Sequence, residues 1–183
     1  KVTCGTWKDI WLNEGFAEYM SGLVYEHLDG QTAFTNWKDE KIQNITSQPG
    51  GNLYLTDVQA DDSNRIFSGR LTYDKGSMVV HMLRYVLGDD HFYQGMQNYL
   101  ADPNLAYDFA VTTQLKTHLE TASGQDLTEF FNDWIYGQGY PIYDAAVSVL
   151  DNNQVRVILS QTTSHNSISF FEIKSKIKER LSS

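Results

Sequence analysis

What this chain has little of narrows it first. Cys4 is the one cysteine among 183 residues, so no internal disulfide forms and cysteine usage says nothing about the redox compartment. Positive charge is scarce: 14 Lys and Arg stand against 23 Asp and Glu, a net charge of −9. Phosphate binding needs a basic surface, so a nucleic-acid partner is not expected. No apolar run approaches the roughly 20 residues of a membrane span. The first residues, KVTCGTWKDI, lack the basic-then-apolar order of a signal peptide. There is no internal repeat and no low-complexity tract. Three prolines, Pro49, Pro103 and Pro141, each fall where the pattern of apolar residues breaks.

What is present is a core. Hydrophobic residues make up 41% and aromatics 13%, enough for one good-sized domain or one and a piece of another. Up to about residue 136 the apolar residues recur at helical spacing, and after Pro141 they alternate as in strands. The spacing predicts helices over residues 8–28, 32–46, 72–87, 89–100, 112–123 and 127–136, with a loop over 47–63. It predicts strands over 143–150, 154–161 and 168–173, the first two joined by a turn at Asp151-Asn152-Asn153. Residues 174–183 hold Lys174, Lys176, Lys178 and Arg180, a shift to basic composition that reads as a boundary or tail. The chain opens abruptly on β-prone Val2-Thr3, as a fragment of something longer does. Three strands rarely hold a sheet alone, so their edges are expected to be exposed.

The first helix carries the unusual chemistry. In WLNEGFAEYM, residues 11–20, Leu12, Phe16, Tyr19, Met20 and Leu23 fall on one face at 100° per residue, and Glu14, Glu18, Ser21 and Tyr25 on the other. Glu14 has two readings. It is a solvated helix residue, as charged side chains usually are. Or it is a metal ligand on a rigid first turn, with Gly15 leaving room beside it and its oxygen suited to zinc. Glu18, one turn on, is either solvated or a carboxylate that hydrogen-bonds a metal-binding histidine. Asn13 is a candidate for the same supporting role.

The block Trp7-x-Asp9-x-Trp11-Leu12-Asn13-Glu14-Gly15-Phe16-Ala17 resembles the signature of the aminopeptidase N family of zinc metallopeptidases, the gluzincins. Their pattern is HExxH, then eighteen residues, then the glutamate of a W-L-N-E-G-F-A block. Val2-Thr3 fits the family's G-N-x-V-T lead-in. The stretch Leu71-Thr72-Tyr73-Asp74-Lys75-Gly76-Ser77 is similar to the family's Y-x-K-G-A segment, with Ser77 where alanine is usual. Trp134-Ile135-Tyr136-Gly137-Gln138-Gly139-Tyr140-Pro141 resembles its W-x-x-Q-x-G-Y-P segment.

The resemblance covers residues 1 to about 172. It implies a mainly α fold: the helical C-terminal half of a thermolysin-like catalytic domain over residues 1–140, then a small β-strand segment, the start of a β-sandwich, over 141–173. It implies peptide substrates, Glu14 as a zinc ligand and Tyr73 as the donor to the oxyanion of the tetrahedral intermediate. Taken alone, Tyr73 is one core aromatic among 11 tyrosines.

The other half of the motif is missing. No HExxH occurs. The five histidines, His27, His81, His91, His118 and His165, lack its spacing, and in register its second histidine falls six positions before Lys1. The family's G-x-M-E-N segment is absent too. The chain is therefore expected to be a fragment that is inactive and metal-free alone, with apolar surface laid open to self-association. A non-catalytic interaction module of the same fold and an epoxide-hydrolase relative stay open as alternatives.

Among the remaining candidates, His27 and His81 read as satisfied structural histidines. His91, after Asp89-Asp90, reads as part of a turn and cap, and His118 and His165 pair with nothing by spacing. Asp57, Asp61 and Asp62 lack EF-hand spacing, and Asn44-Ile45-Thr46 matches a glycosylation acceptor that arises often by chance. The acidic, Asn/Gln/Thr/Tyr-rich composition leans towards a secreted or periplasmic bacterial protein.

Overall fold

A computed structural model describes residues 1–150 and 154–172. A short strand β1 (Thr3–Cys4) and a 3-10 turn (Trp7–Asp9) lead into α1 (Trp11–Leu28). Asp29 alone separates α1 from α2 (Gly30–Ile45), and Gly30, at φ 83, makes that turn possible. Then come two short helices, α3 (Asp57–Ala60) and α4 (Ser63–Ile66). A π-helical segment (Gly69–Lys75) runs directly into α5 (Gly76–Leu87), followed by α6 (Asp89–Ala101). Strand β2 (Phe109–Ala110) pairs in parallel with β1, and α7 (Thr112–Ser123) follows. The short α8 (Thr128–Phe131) continues as a second π-helical segment (Asn132–Tyr136). The chain ends in an antiparallel hairpin, β3 (Pro141–Leu150) with β4 (Gln154–Thr163), in register from Pro141–Thr163 to Leu150–Gln154.

The mainly helical layout with a small C-terminal β element is the architecture the sequence predicts. Several details differ. The predicted first helix begins as a 3-10 turn. The predicted loop 47–63 holds α3 and the start of α4, each opened by a side-chain cap: Thr56 for α3, in a capping box with Gln59, and Asp62 for α4. The predicted third strand is not formed over residues 168–172. The Gln161 amide occupies both the N–H and the C=O of Phe171, and Asp133 accepts from the N–H of Glu172, so these groups have no ladder to join. Phe171 is instead fully buried against Trp134, ring centroids 4.7 Å apart. The turn at Asp151-Asn152-Asn153 and the basic tail 174–183 lie outside the described residues.

The core runs between α1, α2, α5, α6 and α7, with Trp11, Tyr19, Phe34, Leu83, Leu115 and Leu119 almost fully buried. The buried stripe of α1 is Trp11, Leu12, Gly15, Tyr19 and Gly22, not the stripe predicted: Met20 is 57% exposed. Two glycines on the buried side rotate the packed face. A side chain at Gly22 would meet the Trp37 ring at 2.8 Å, and one at Gly15 would meet the backbone of Gly76 at 2.8 Å. Met20, with Leu12, Phe16, Leu23 and the Phe92–Met96–Leu100 stripe of α6, lines an open apolar groove of about 590 Å³.

Helices α1 and α5 thus cross at a glycine pair with no side chain between them. A β-carbon on either glycine must displace main chain rather than a flexible tip, and overpacking of that kind costs about 1–3 kcal/mol. Gly15→Ala and Gly76→Ala are each expected to lower stability by that amount in chemical denaturation. Gly69→Ala, where the added carbon meets nothing within 4 Å, is expected to be neutral or slightly stabilising.

Candidate active site

The glycine crossing sets the site. Glu14 precedes Gly15 on the first turn of α1, and Tyr73 lies three residues before Gly76 in the π-helical segment. The two side chains meet. Burial, the negative charge of Glu14 and a hydrogen-bonding contact with its carboxylate push the Tyr73 phenol above its ordinary range. The phenol therefore stays protonated, and a donor, at neutral pH.

The wider turn of the π segment is built locally. Gly76 N–H is shared between the carbonyls of Leu71 and Tyr73, and Ser68 caps the segment through Leu71 N–H. Such insertions are frequent at functional sites. Its side chains are tied outward in several directions. Arg70 donates to the carbonyls of Ile45, Gln48 and Gly50, and Lys75 Nζ to that of Gly51 at 2.7 Å. Lys75 is deeply buried beside Arg70 and Arg65. Burial first, then these two positive charges, brings its pKa down to about 7. Asp74 accepts from Asn44 Nδ2 at 2.6 Å and pairs with Lys41 at 2.9 Å. Ser77, in place of the usual alanine, donates to the Asp74 carbonyl at 2.8 Å.

On the α1 side, Glu18 is engaged by Lys41 at 2.6 Å. Burial works against the Lys41 charge, but its hydrogen bonds to Glu18 and Asp74 and their negative charges outweigh it and raise its pKa. Asn13 faces the N-terminal strand: its Oδ1 accepts from Cys4 N–H and its Nδ2 donates to Thr3 Oγ1. Asp9, which sequence reasoning did not single out, is almost fully buried. It accepts from both the N–H and the hydroxyl of Thr112, whose oxygen also receives the Trp11 indole N–H. The Trp7-x-Asp9-x-Trp11 spacing was its signal: the residues around Glu14 are held on α7.

Among the described residues no three of His, Cys, Asp and Glu stand together as a metal cage. Glu14 is suited by chemistry and placement to be one ligand, and its carboxylate contacts the neutral phenol of Tyr73.

A family model described as the peptidase family M1 domain matches residues 1–134. This chain belongs to that family. It is 30% identical over 156 residues to aminopeptidase N of Lactococcus lactis subsp. lactis, a match covering 80% of this chain and 18% of that protein. It is 31% identical over 170 residues to aminopeptidase M1-B of Oryza sativa subsp. japonica, covering 91% and 19%. A solved mutant of a two-domain M1 zinc metallopeptidase bound to L-tryptophan is similar at TM-score 0.64 and 26% identity, covering 77% of this chain and 30% of that one. The chain spans about a fifth of the length of the curated relatives it matches. No helix of the described residues is long and apolar enough to cross a membrane.

Four of the five histidines of this M1 chain have contacts of their own among the described residues. His91 Nδ1 sits 3.4 Å from the Leu87 carbonyl, and His165 bonds Ser167. His118 Nε2 pairs with Asp102 at 3.0 Å, a partner that spacing did not reveal. His81 packs its ring on Phe34 and Tyr19, but its Nδ1 is buried without a partner among the described residues, so it is structural and not satisfied. Burial first, then the charges of Lys38 and Arg84, lowers its pKa to about 4, with Glu26 opposing.

His81 is therefore neutral in the fold and takes up a proton on unfolding at any pH between about 4 and its ordinary value near 6.5. The unfolded state binds more protons there, so this group's contribution falls as pH drops through that window. We expect His81→Phe to reduce the stability loss between pH 7 and pH 4 by up to about 3 kcal/mol. The check is the difference between the two proteins' denaturation midpoints at each pH.

Proposed function

We propose that residues 1–140 form part of the catalytic domain of a zinc-dependent aminopeptidase that releases N-terminal residues from peptides. The observation that carries this is the meeting of Glu14 and Tyr73 across the glycine crossing, within a chain of peptidase family M1. In this reading Glu14 is one zinc ligand, and the other two, with the general base, belong to an HExxH outside residues 1–183. The chemistry such a metal supplies is Lewis acidity toward the scissile carbonyl and toward water.

This chain's own contribution is positional and electrostatic. The first turn of α1, held by Asp9 and Trp11 on Thr112, presents the Glu14 carboxylate from a fixed backbone. Tyr73 directs its O–H at the carbonyl oxygen as negative charge develops there. Being neutral, it donates without competing for the metal. One such donor is worth about 2.7–4 kcal/mol of barrier.

In the full-length protein, assayed on aminoacyl-nitroanilides, Tyr73→Phe is expected to lower kcat about 10²–10³-fold while KM and zinc content stay close to wild type. Wild-type kcat in that variant would overturn the role of Tyr73, and a full-length protein inert on all such substrates would overturn the activity. For residues 1–183 alone we propose neither hydrolysis nor tight zinc binding, and self-association through the apolar groove. Stoichiometric, tight zinc uptake in a calorimetric titration, lost in Glu14→Ala, would contradict the second point, and a clean monomer by light scattering at high concentration the third.

A further inference from the structure

Two catalytic side chains on different elements need more than one point of contact to hold their spacing. The glycine crossing and Arg84 of α5, which bonds Tyr19 and Glu26 of α1, set how α1 and α5 approach. Neither Arg84 bond is to the π-helical segment that bears Tyr73. That segment needs its own tie to α1, and Lys41 of α2 supplies it. Its ammonium stands 2.6 Å from Glu18, one turn beyond Glu14, and 2.9 Å from Asp74, the residue after Tyr73. The other Asp74 oxygen is taken by Asn44, also on α2, at 2.6 Å. All three charged side chains are shielded, with exposures of 19% for Lys41, 25% for Glu18 and 12% for Asp74, so their attraction is screened far less than that of a surface pair. The Lys41 ammonium also lies 5.7 Å from the centre of the Trp37 ring, the ring that seats Gly22 of α1. Lys41 is thus referenced to α1 through Glu18 and, by way of that ring, Gly22.

We infer that Lys41 is a positioning residue for catalysis: by bridging Glu18 and Asp74 it holds the Tyr73 phenol at a fixed distance and angle from the Glu14 carboxylate. This rests on the reading of Tyr73 as the donor to the developing oxyanion. The bridge joins Glu18 and Asp74, the latter next to Tyr73 in the chain, so its loss is expected to act through Tyr73. A donor misplaced by about 1 Å costs a large part of its effect on rate, up to about a hundredfold.

The test is a double-mutant cycle in the full-length protein with zinc bound, reading kcat and KM separately together with zinc content and the unfolding midpoint. Lys41→Met keeps the length of the side chain and removes its charge. It is expected to lower kcat about ten- to a hundredfold with KM and zinc content unchanged, and Lys41→Arg, which reaches both carboxylates, is expected to restore most of the rate. In a Tyr73→Phe background Lys41→Met should cost nothing further in kcat, because the group it positions is gone. Glu18→Gln should give a smaller loss that also vanishes in that background, and it serves if Lys41→Met does not fold. Lys38→Met, a neighbouring lysine outside the bridge, is the control and should keep wild-type kcat.

The inference is overturned if Lys41→Met keeps wild-type kcat while Tyr73→Phe loses it, or if the two losses multiply in full. Loss of zinc in Lys41→Met would also overturn it. If Tyr73→Phe itself keeps wild-type kcat, the donor reading fails and this inference fails with it, an outcome distinct from the others.

Discussion

The contact between Gly15 and Gly76 is the constraint on which the rest of the site depends. Each glycine ends at the other's main chain, where a β-carbon would stand 2.8–2.9 Å from backbone atoms. Glycine in a helix interior costs about 1 kcal/mol relative to alanine, and α1 carries two. The return is proximity. With no side chains at the crossing, the first turn of α1 and the segment before α5 come close enough for a glutamate from one to meet a tyrosine from the other. A helix-weakening residue beside a carboxylate is poor local design and sound tertiary design.

Closeness alone does not orient a side chain, and here the charges matter. Positive groups converge on the π-helical segment from the loop side, where Arg70 and Lys75 hold the carbonyls of Ile45, Gln48, Gly50 and Gly51 and Arg65 holds that of Asn52. None of these bonds is to a carboxylate. Carbonyl dipoles satisfy the donors without neutralising them, so burial first, then the charges of Arg70 and Arg65, brings Lys75 down to about 7. On the opposite side the carboxylates of Asp74 and Glu18 share Lys41. The segment bearing Tyr73 is therefore gripped on one side by backbone and on the other by an ion bridge, and Tyr73 is left to face Glu14.

Much of this was legible in the sequence, and the parts that were not have physical reasons. Helical periodicity located α1, α2, α5, α6 and α7 because each repeats an apolar face over three or more turns. It misjudged the face of α1, because hydrophobicity weights Met20 above glycine, whereas burial follows shape: Gly15 and Gly22 are inside because main chain and an indole ring need the space. The π-helical segments carry no periodic signature. Their extra residue shows only in backbone bonds such as Gly137 N–H to the Asn132 carbonyl. The absent third strand turned on Gln161, whose amide imitates a strand partner and cannot be foreseen from alternation. The motif blocks singled out Glu14 and Tyr73, and the fold brings them together. It also pairs Glu18 with Lys41 and bonds Asn13 to the first strand.

Asp9 and Lys41 share a lesson about what a motif records. Asp9 lies inside the block around Glu14 yet bonds α7, some hundred residues on, and Lys41 lies outside every block yet ties the two that matter. A short signature mixes residues that act with residues that hold, and spacing along the chain does not separate them. Burial and partners do. Asp9 is closed off and saturated with donors, so it holds. Glu14 is partly open and its neighbour is a neutral phenol. That difference in what surrounds two carboxylates five residues apart is the physical support for proposing Glu14, and not Asp9, as the metal ligand.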